Sequence, residues 1–275
     1  MKNILGNNAK RLIILFGIVI LVASCEYETE IRSADYSGQK IYMPAAYGGF
    51  FYINNISRKR GDLPFEGNPY RYVIDTVGRK FTVPLSAYRS GIDNVGGFTV
   101  DIKVNTDTIN KLITSGDLNN TILLPSDTYS IVASIEMPDG KEIAVFNLVI
   151  DLDFLRNSYP HEIYALGVGI SSTQRETVPK LGTTIVVVDT KIMKPTASFT
   201  FAVDGTDTKK IFFTNSSLYA VKCLWDFGDG TKLITDESSL SYTYTTPGTY
   251  TVTLTAIGIT GNEDKSIMTD FITIL

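Results

Sequence analysis

His161 is the only histidine in 275 residues, and Cys25 and Cys223 are the only cysteines. That inventory limits the chemistry at once. A zinc site needs several Cys or His ligands, and a histidine relay needs a nucleophile on one side of the imidazole and an orienting acid on the other. The chain supplies neither set. His161 follows Pro160 and reads as a surface or edge residue. Carboxylates are plentiful: Asp151 and Asp153 stand two apart on one strand face, so a glycosidase pair is open by count. Their flanks, with Phe154 and Leu155 following, read more simply as a strand end entering a loop. Asp226 and Asp229 suit a tight turn, with a calcium role as the other reading. Phosphate loops, dinucleotide glycine motifs and nucleophile elbows do not occur. No catalytic residue, metal or cofactor is expected, and the chain is not expected to be an enzyme. What remains is binding chemistry. Sugars stack on exposed aromatic rings beside polar groups, and Tyr47, Phe51 and Tyr70 are the candidates, Tyr47 foremost because Gly48 and Gly49 follow it. Residues 50–52 place aromatics on both faces of one strand, so at least one is expected to reach solvent.

The elements that must carry these side chains are strands. Residues 40–43, 50–54, 70–76, 80–85 and 98–104 are short, rich in β-branched and aromatic residues, and separated by Gly, Pro, Asn and Asp. In 98–104 the even-numbered residues are apolar and Thr99, Asp101 and Lys103 polar, the period-two pattern of a half-buried strand. Ile109, Leu112 and Ile113 break that pattern at spacings of three and four. They predict a short helix over 106–114, capped by Asn105 or Thr106 and stopped by Gly116. Strands resume at 129–137, with Pro138-Asp139-Gly140 predicting a hairpin to 142–151, and at 163–170 and 184–188. Residues 36–190 thus read as an Ig-like sandwich with a helical excursion. Residues 191–195 read as a short linker, and 196–275 as a smaller β unit.

The N-terminus gives the address. Lys2, Lys10 and Arg11 precede an apolar run from Leu12 to Val22 that is too short to span a bilayer and suits a secretory signal. Leu21-Val22-Ala23-Ser24-Cys25 resembles a bacterial lipobox, which implies that residues 1–24 are a lipoprotein signal peptide and that Cys25 carries lipid. Removing that segment takes the formal charge from −4 to −7, which offers nucleic acid no general attraction. If Cys25 is lipidated, Cys223 has no disulfide partner; it reads as a buried thiol. Residues 25–35 form an acidic tether. Its Glu26, Glu28 and Glu30 resemble the signal that sends lipoproteins of gut-anaerobe bacteria to the outer face of the outer membrane, and read otherwise as a solvated spacer. Asp75-Thr76-Val77 and Asp107-Thr108-Ile109 resemble the short O-glycosylation acceptor of such proteins.

Two further resemblances cover the rest. Leu224-Trp225-Asp226-Phe227-Gly228-Asp229-Gly230-Thr231, with Tyr242-Thr243-Tyr244 and Pro247-Gly248-Thr249-Tyr250-Thr251-Val252-Thr253-Leu254 downstream, is similar to the polycystic kidney disease (PKD) domain. That resemblance implies a seven-stranded Ig-like sandwich serving as spacer or interaction module. The residues agree: Cys223, Trp225 and Phe227 share an inward face, and Gly228 and Gly230 suit positive-φ turn positions. Residues 145–153, 163–170 and 184–188 are similar to an uncharacterised Ig-like family at the start of outer-membrane lipoproteins of polysaccharide-uptake systems, with Gly167 where that family has proline. Its glycosidase partners carry a barrel and motif for which this chain has neither residues nor length. The expectation is all-β: two Ig-like β-sandwich domains in tandem after a lipoprotein signal peptide. They would form a non-catalytic surface lipoprotein that binds polysaccharide or oligosaccharide beside an outer-membrane transporter or other surface lipoproteins. The alternative is an adhesion or assembly protein that binds a protein partner through its sandwiches.

Overall fold

A computed structural model describes residues 38–56, 71–91 and 94–275. The expected signal peptide, Cys25, the rest of the tether and Tyr70 lie outside the described residues. The first sandwich is built from strands β1 (Lys40–Tyr42), β2 (Phe50–Ile53), β3 (Val73–Asp75), β4 (Lys80–Arg89) and β5 (Phe98–Val104). Helix α1 (Thr106–Ser115) follows, then β6 (Thr121–Leu123), β7 (Tyr129–Ser130), β8 (Ser134–Met137) and β9 (Ile143–Asp151). Helix α2 (Leu152–Asn157), β10 (Ile163–Ser171), β11 (Glu176–Thr177) and β12 (Thr183–Asp189) complete it. One sheet runs β11-β1-β4-β9-β7 with β3 beside β4; the other runs β2-β12-β10-β5-β8 with β6 beside β10. Alternation places Phe81, Val83, Leu85 and Phe146, Leu148, Ile150 of the first sheet against Phe98, Val100, Ile102 and Leu166, Val168 of the second. That shared face is the core.

Helix α1 forms where its caps allow it. The Asn105 side chain accepts a hydrogen bond from the Thr108 N–H at 3.0 Å, and Gly116 ends the helix with φ of 84°. Its Ile109, with Leu112 and Ile113, covers Ala165, Ile185 and Val187 on the outer face of the second sheet, making a small second core. The helix can sit there because β10 changes partner along its length. Residues 163–165 pair with β6 and residues 168–171 with β5. At the seam, the Asn105 N–H donates to the Gly167 carbonyl at 2.8 Å. A Cβ at Gly167 would stand 2.6 Å from the Asn105 carbonyl oxygen. Gly167→Ala is therefore expected to push the helix start off the sheet and cost about 1–3 kcal/mol. Gly169→Ala, whose Cβ would meet the Thr183 hydroxyl at 3.3 Å, should cost less. Urea melts of the two variants check this order.

Three sequence expectations need correction. Residues 129–137 are two strands, and the predicted hairpin to 142–151 does not form. Strand β7 stays on β9, with Tyr129 opposite Ile150, whereas β8 crosses to β5, with Met137 opposite Phe98. The Pro138-Asp139-Gly140 turn thus joins the two sheets. The buried Arg89 secures it there, donating to the carbonyls of Pro138 and Gly96 while lying over the Phe98 ring. Asp153 does not enter a loop, because Asp151 caps α2 by accepting the Phe154 N–H at 2.9 Å. The linker expected at 191–195 begins inside the first core: residues Thr190–Met193 form a 3-10 turn that buries Ile192 and Met193.

The second sandwich packs a sheet of β13 (Phe199–Val203), β14 (Lys210–Asn215) and β17 (Ser239–Thr243) onto a second sheet. The latter comprises β15 (Lys222–Asp226), β16 (Lys232–Thr235), β18 (Gly248–Gly258) and β19 (Gly261–Ile274), ordered β16-β15-β18-β19. Trp225 is its centre, with Phe199 and Phe213 ring centroids at 5.1 and 5.2 Å. Cys223 is buried beside it as a free thiol.

Candidate functional site

The motif that stands out in the sequence serves the fold. After β15 the chain turns with Gly228 at φ 81° and Gly230 at φ 95°. The Asp226 carboxylate accepts the Gly228 N–H, and the Asp229 carboxylate accepts the Thr231 N–H. The Tyr242 hydroxyl donates to the second oxygen of Asp229 at 2.7 Å, and its ring stacks on Phe227 at 3.9 Å. Tyr244, buried, donates to the Phe227 carbonyl. Lys232 pairs with Asp226 and is the leading influence holding its carboxyl below the ordinary range. These two aspartates are thus spent on turn geometry and a local ion pair.

The other charged candidates are similarly occupied. Asp151 is a helix cap, and Asp153 lies between the guanidinium groups of Arg79 and Arg156. The hydrogen bond from Arg79, foremost, holds the Asp153 carboxyl below its usual range, the wrong direction for a general acid. His161 is exposed, its backbone N–H donating to the Ser158 carbonyl.

The aromatic candidates separate by parity. Residues Pro44–Ala46 make a 3-10 turn whose end is closed by the Tyr47 backbone N–H donating to the Pro44 carbonyl at 3.0 Å. Gly48 and Gly49 follow at φ 93° and 90°, a left-handed pair that redirects the chain into β2. Tyr47 projects from this turn and is 84% exposed. Along β2, Phe51 (4% exposed) and Ile53 point into the core, while Phe50 and Tyr52 (37% exposed) point out. The expectation for Phe51 is corrected by that pleat: its ring presents no face to a ligand, because the side-chain period of two gives the core every second residue. The Phe50 and Tyr52 rings lie 5.6 Å apart, tilted by 60°. Phe50 rests on the small core under α1. Arg71 braces the strand from behind, donating to the Tyr52 carbonyl and lying over the Phe51 ring at 4.9 Å.

The result is an outward pair, Phe50 and Tyr52, on an edge strand held by β12, with Tyr47 on the turn that precedes it. Flat rings beside backbone polar groups match what a neutral sugar surface offers: C–H faces and hydroxyls. Tyr52 was readable in sequence. In Phe50-Phe51-Tyr52-Ile53 the purely apolar pair 51/53 is the better core face, and Tyr, with a polar tip, suits the other.

The PKD domain profile matches residues 187–274. The PKD1 domain of the Vibrio cholerae metalloprotease PrtV is similar at 30% identity, covering 30% of this chain and 96% of that one, with a TM-score of 0.26. The PKD1 domain of Vibrio anguillarum Epp is similar at 29% identity, over 30% and 93% of the two chains, with a TM-score of 0.26. A candidate carbohydrate-binding protein of Bacteroides ovatus shares 11% identity over 85% of this chain and 70% of its own, with a TM-score of 0.38. No curated protein matches the chain.

Proposed function

We propose, for a chain that belongs to the PKD-domain family through its C-terminal sandwich, that it is a non-catalytic, lipid-anchored surface protein that captures neutral glycan on its first sandwich. The observation that carries this reading is Tyr47, a large aromatic left 84% exposed on a turn that two left-handed glycines set up, beside the outward pair Phe50 and Tyr52. Its anchor rests on Leu21-Val22-Ala23-Ser24-Cys25, and outward display on Glu26, Glu28 and Glu30. In that setting polysaccharide or oligosaccharide is the ligand, and an outer-membrane transporter the natural neighbour.

The test is affinity electrophoresis of residues 26–275 in gels cast with plant, fungal or host polysaccharides. Wild type is expected to be retarded by one class. Tyr47→Ala and Tyr52→Ala are each expected to weaken binding about tenfold, or 1.4 kcal/mol, with little change in melting temperature because both rings are exposed. Retardation by no polysaccharide would sink the reading. For the anchor, mass spectrometry of the cell-derived N-terminal peptide is expected to find acylated Cys25, and Cys25→Ser to release the protein from the membrane fraction.

One observation favours a protein partner instead. Strand β19 lies at the edge of its sheet and exposes Ile267 and Phe271 on its outer face, with Leu275 exposed just beyond its end. Under that reading Phe271→Asp abolishes a pull-down from the cell envelope and the Tyr47 variant does not.

A further inference from the structure

The contacts between the two sandwiches differ from those of modules strung on a flexible linker. Ile259, from the turn between β18 and β19 of the second sandwich, is buried in the core of the first. Tyr219 and Val221, also of the second, pack against the same core. On the chain leading across, Ile192 and Met193 are fully buried there. The fit is close: a Cβ at Gly258 would stand 2.8 Å from the Pro195 ring.

Around this apolar wedge runs an alternating set of charges. From the first sandwich come Arg79, in the turn before β4, and Asp153 and Arg156 on α2. From the second come Glu263 and Asp264 at the start of β19. Arg79 donates through Nη1 to both Glu263 oxygens at 2.9 Å and through Nε to Asp153 at 2.9 Å. Arg156 meets Asp264 in a two-pronged pair, Nε to Oδ2 at 2.7 Å and Nη2 to Oδ1 at 3.1 Å, and its Nη1 reaches Asp153 and Glu263 at 3.1 and 3.0 Å. Thr260 donates to Asp264 at 2.6 Å. Lys194 lies over the Tyr159 ring alongside.

Exposed ion pairs alone contribute little, so Arg79 and Glu263 would not by themselves hold two domains together. Asp264 is another matter. It keeps 7% of its surface, and a carboxylate so withdrawn from water depends on its guanidinium partner. With Ile259 beside it, the joint has the make-up of a domain interior.

We infer that the two sandwiches form one rigid body that unfolds as a single unit, the β18–β19 turn of the second acting as a structural part of the first. The second sandwich is then a fixed extension of the first, and its orientation is set by α2.

The test uses residues 26–275 and two regional readouts. Trp225, the only tryptophan, reports the second sandwich by fluorescence. Hydrogen exchange of peptides from β9 and β10 reports the first. Wild type is expected to give coincident transitions, the signature of one cooperative unit. Ile259→Ala, a substitution in the second sandwich, is expected to lower the melting of the first-sandwich peptides by about 5–10 °C, and Arg156→Ala to do the same to the Trp225 signal. Should Ile259→Ala fail to fold, Asp264→Asn keeps the shape and is expected to produce the same shared loss. Lys210→Ala, at the exposed Asp204 pair away from the joint, is expected to leave the first-sandwich peptides unchanged. Two resolved transitions in wild type would overturn the inference. So would a loss from Ile259→Ala or Asp264→Asn confined to the Trp225 signal.

Discussion

Trp225→Ala is expected to cost about 3–5 kcal/mol, and because the two sandwiches unfold as one unit the loss should register in both. Trp225 is fully buried against Phe199, Phe213 and Phe227, so truncation leaves a cavity walled by rings that cannot collapse onto it. A cooperative unit typically has only about 5–15 kcal/mol of stability to lose. Among the described residues the indole Nε1 has no hydrogen-bond partner, so part of the burial gain in wild type is offset by a desolvated donor. Trp225→Phe, which removes that donor and keeps a ring, should accordingly cost far less than alanine. Urea unfolding followed by far-UV circular dichroism measures both. Equal losses for the two variants would show that ring packing is not what holds this core.

Acid should open the joint between the sandwiches. The Asp264 carboxyl is pushed up by burial, its largest single influence. The hydrogen bonds from Arg156 and Thr260 and the charges of Arg156 and Lys194 together outweigh that and leave it below the ordinary range. Asp153 is lowered as well, first by Arg79. Glu263 and the cations Arg79, Arg156 and Lys194 are the other charged groups that face them. A carboxyl depressed in the folded state contributes stability above its unfolded value of about 3.9, and that contribution is lost as pH falls through the folded value. The melting temperature is therefore expected to be level through mildly acidic pH and to fall steeply below about pH 4. Asp264→Asn should start lower at neutral pH and show a shallower fall, because the titrating group is gone. Parallel profiles for variant and wild type would mean that the acid sensitivity lies elsewhere.

Much of this was legible in the residues. Trp225 and Phe227, two apart on one strand before Gly-Asp-Gly, determine their own inward face and turn, since positive φ is a local demand and alternation a local rule. Residues 98–104 and α1, with Asn105 before it and Gly116 after, are readable for the same reason: each cap and each apolar spacing acts within a few residues. Tyr47 on its Gly-Gly turn was legible too, because positive φ at Gly48 and Gly49 is a local demand.

Other features depended on partners far along the chain. Whether β8 pairs with β9 or crosses to β5 turns on the buried Arg89 gathering Pro138 and Gly96 beneath the sheets. Helix α2 is six residues long, too short for periodicity to declare, and its charges are matched by residues about a hundred positions later. In Phe50-Phe51-Tyr52-Ile53 the apolar pair 51/53 marks the core face, but the partner that seats this strand at the sheet edge, β12, lies more than a hundred residues on. The sequence by itself determined the strands, the caps and the tight turns, whose energies are set between near neighbours. Only the tertiary structure decided strand partners, sheet membership and the joint between sandwiches, because those depend on where the apolar surface of the whole chain converges.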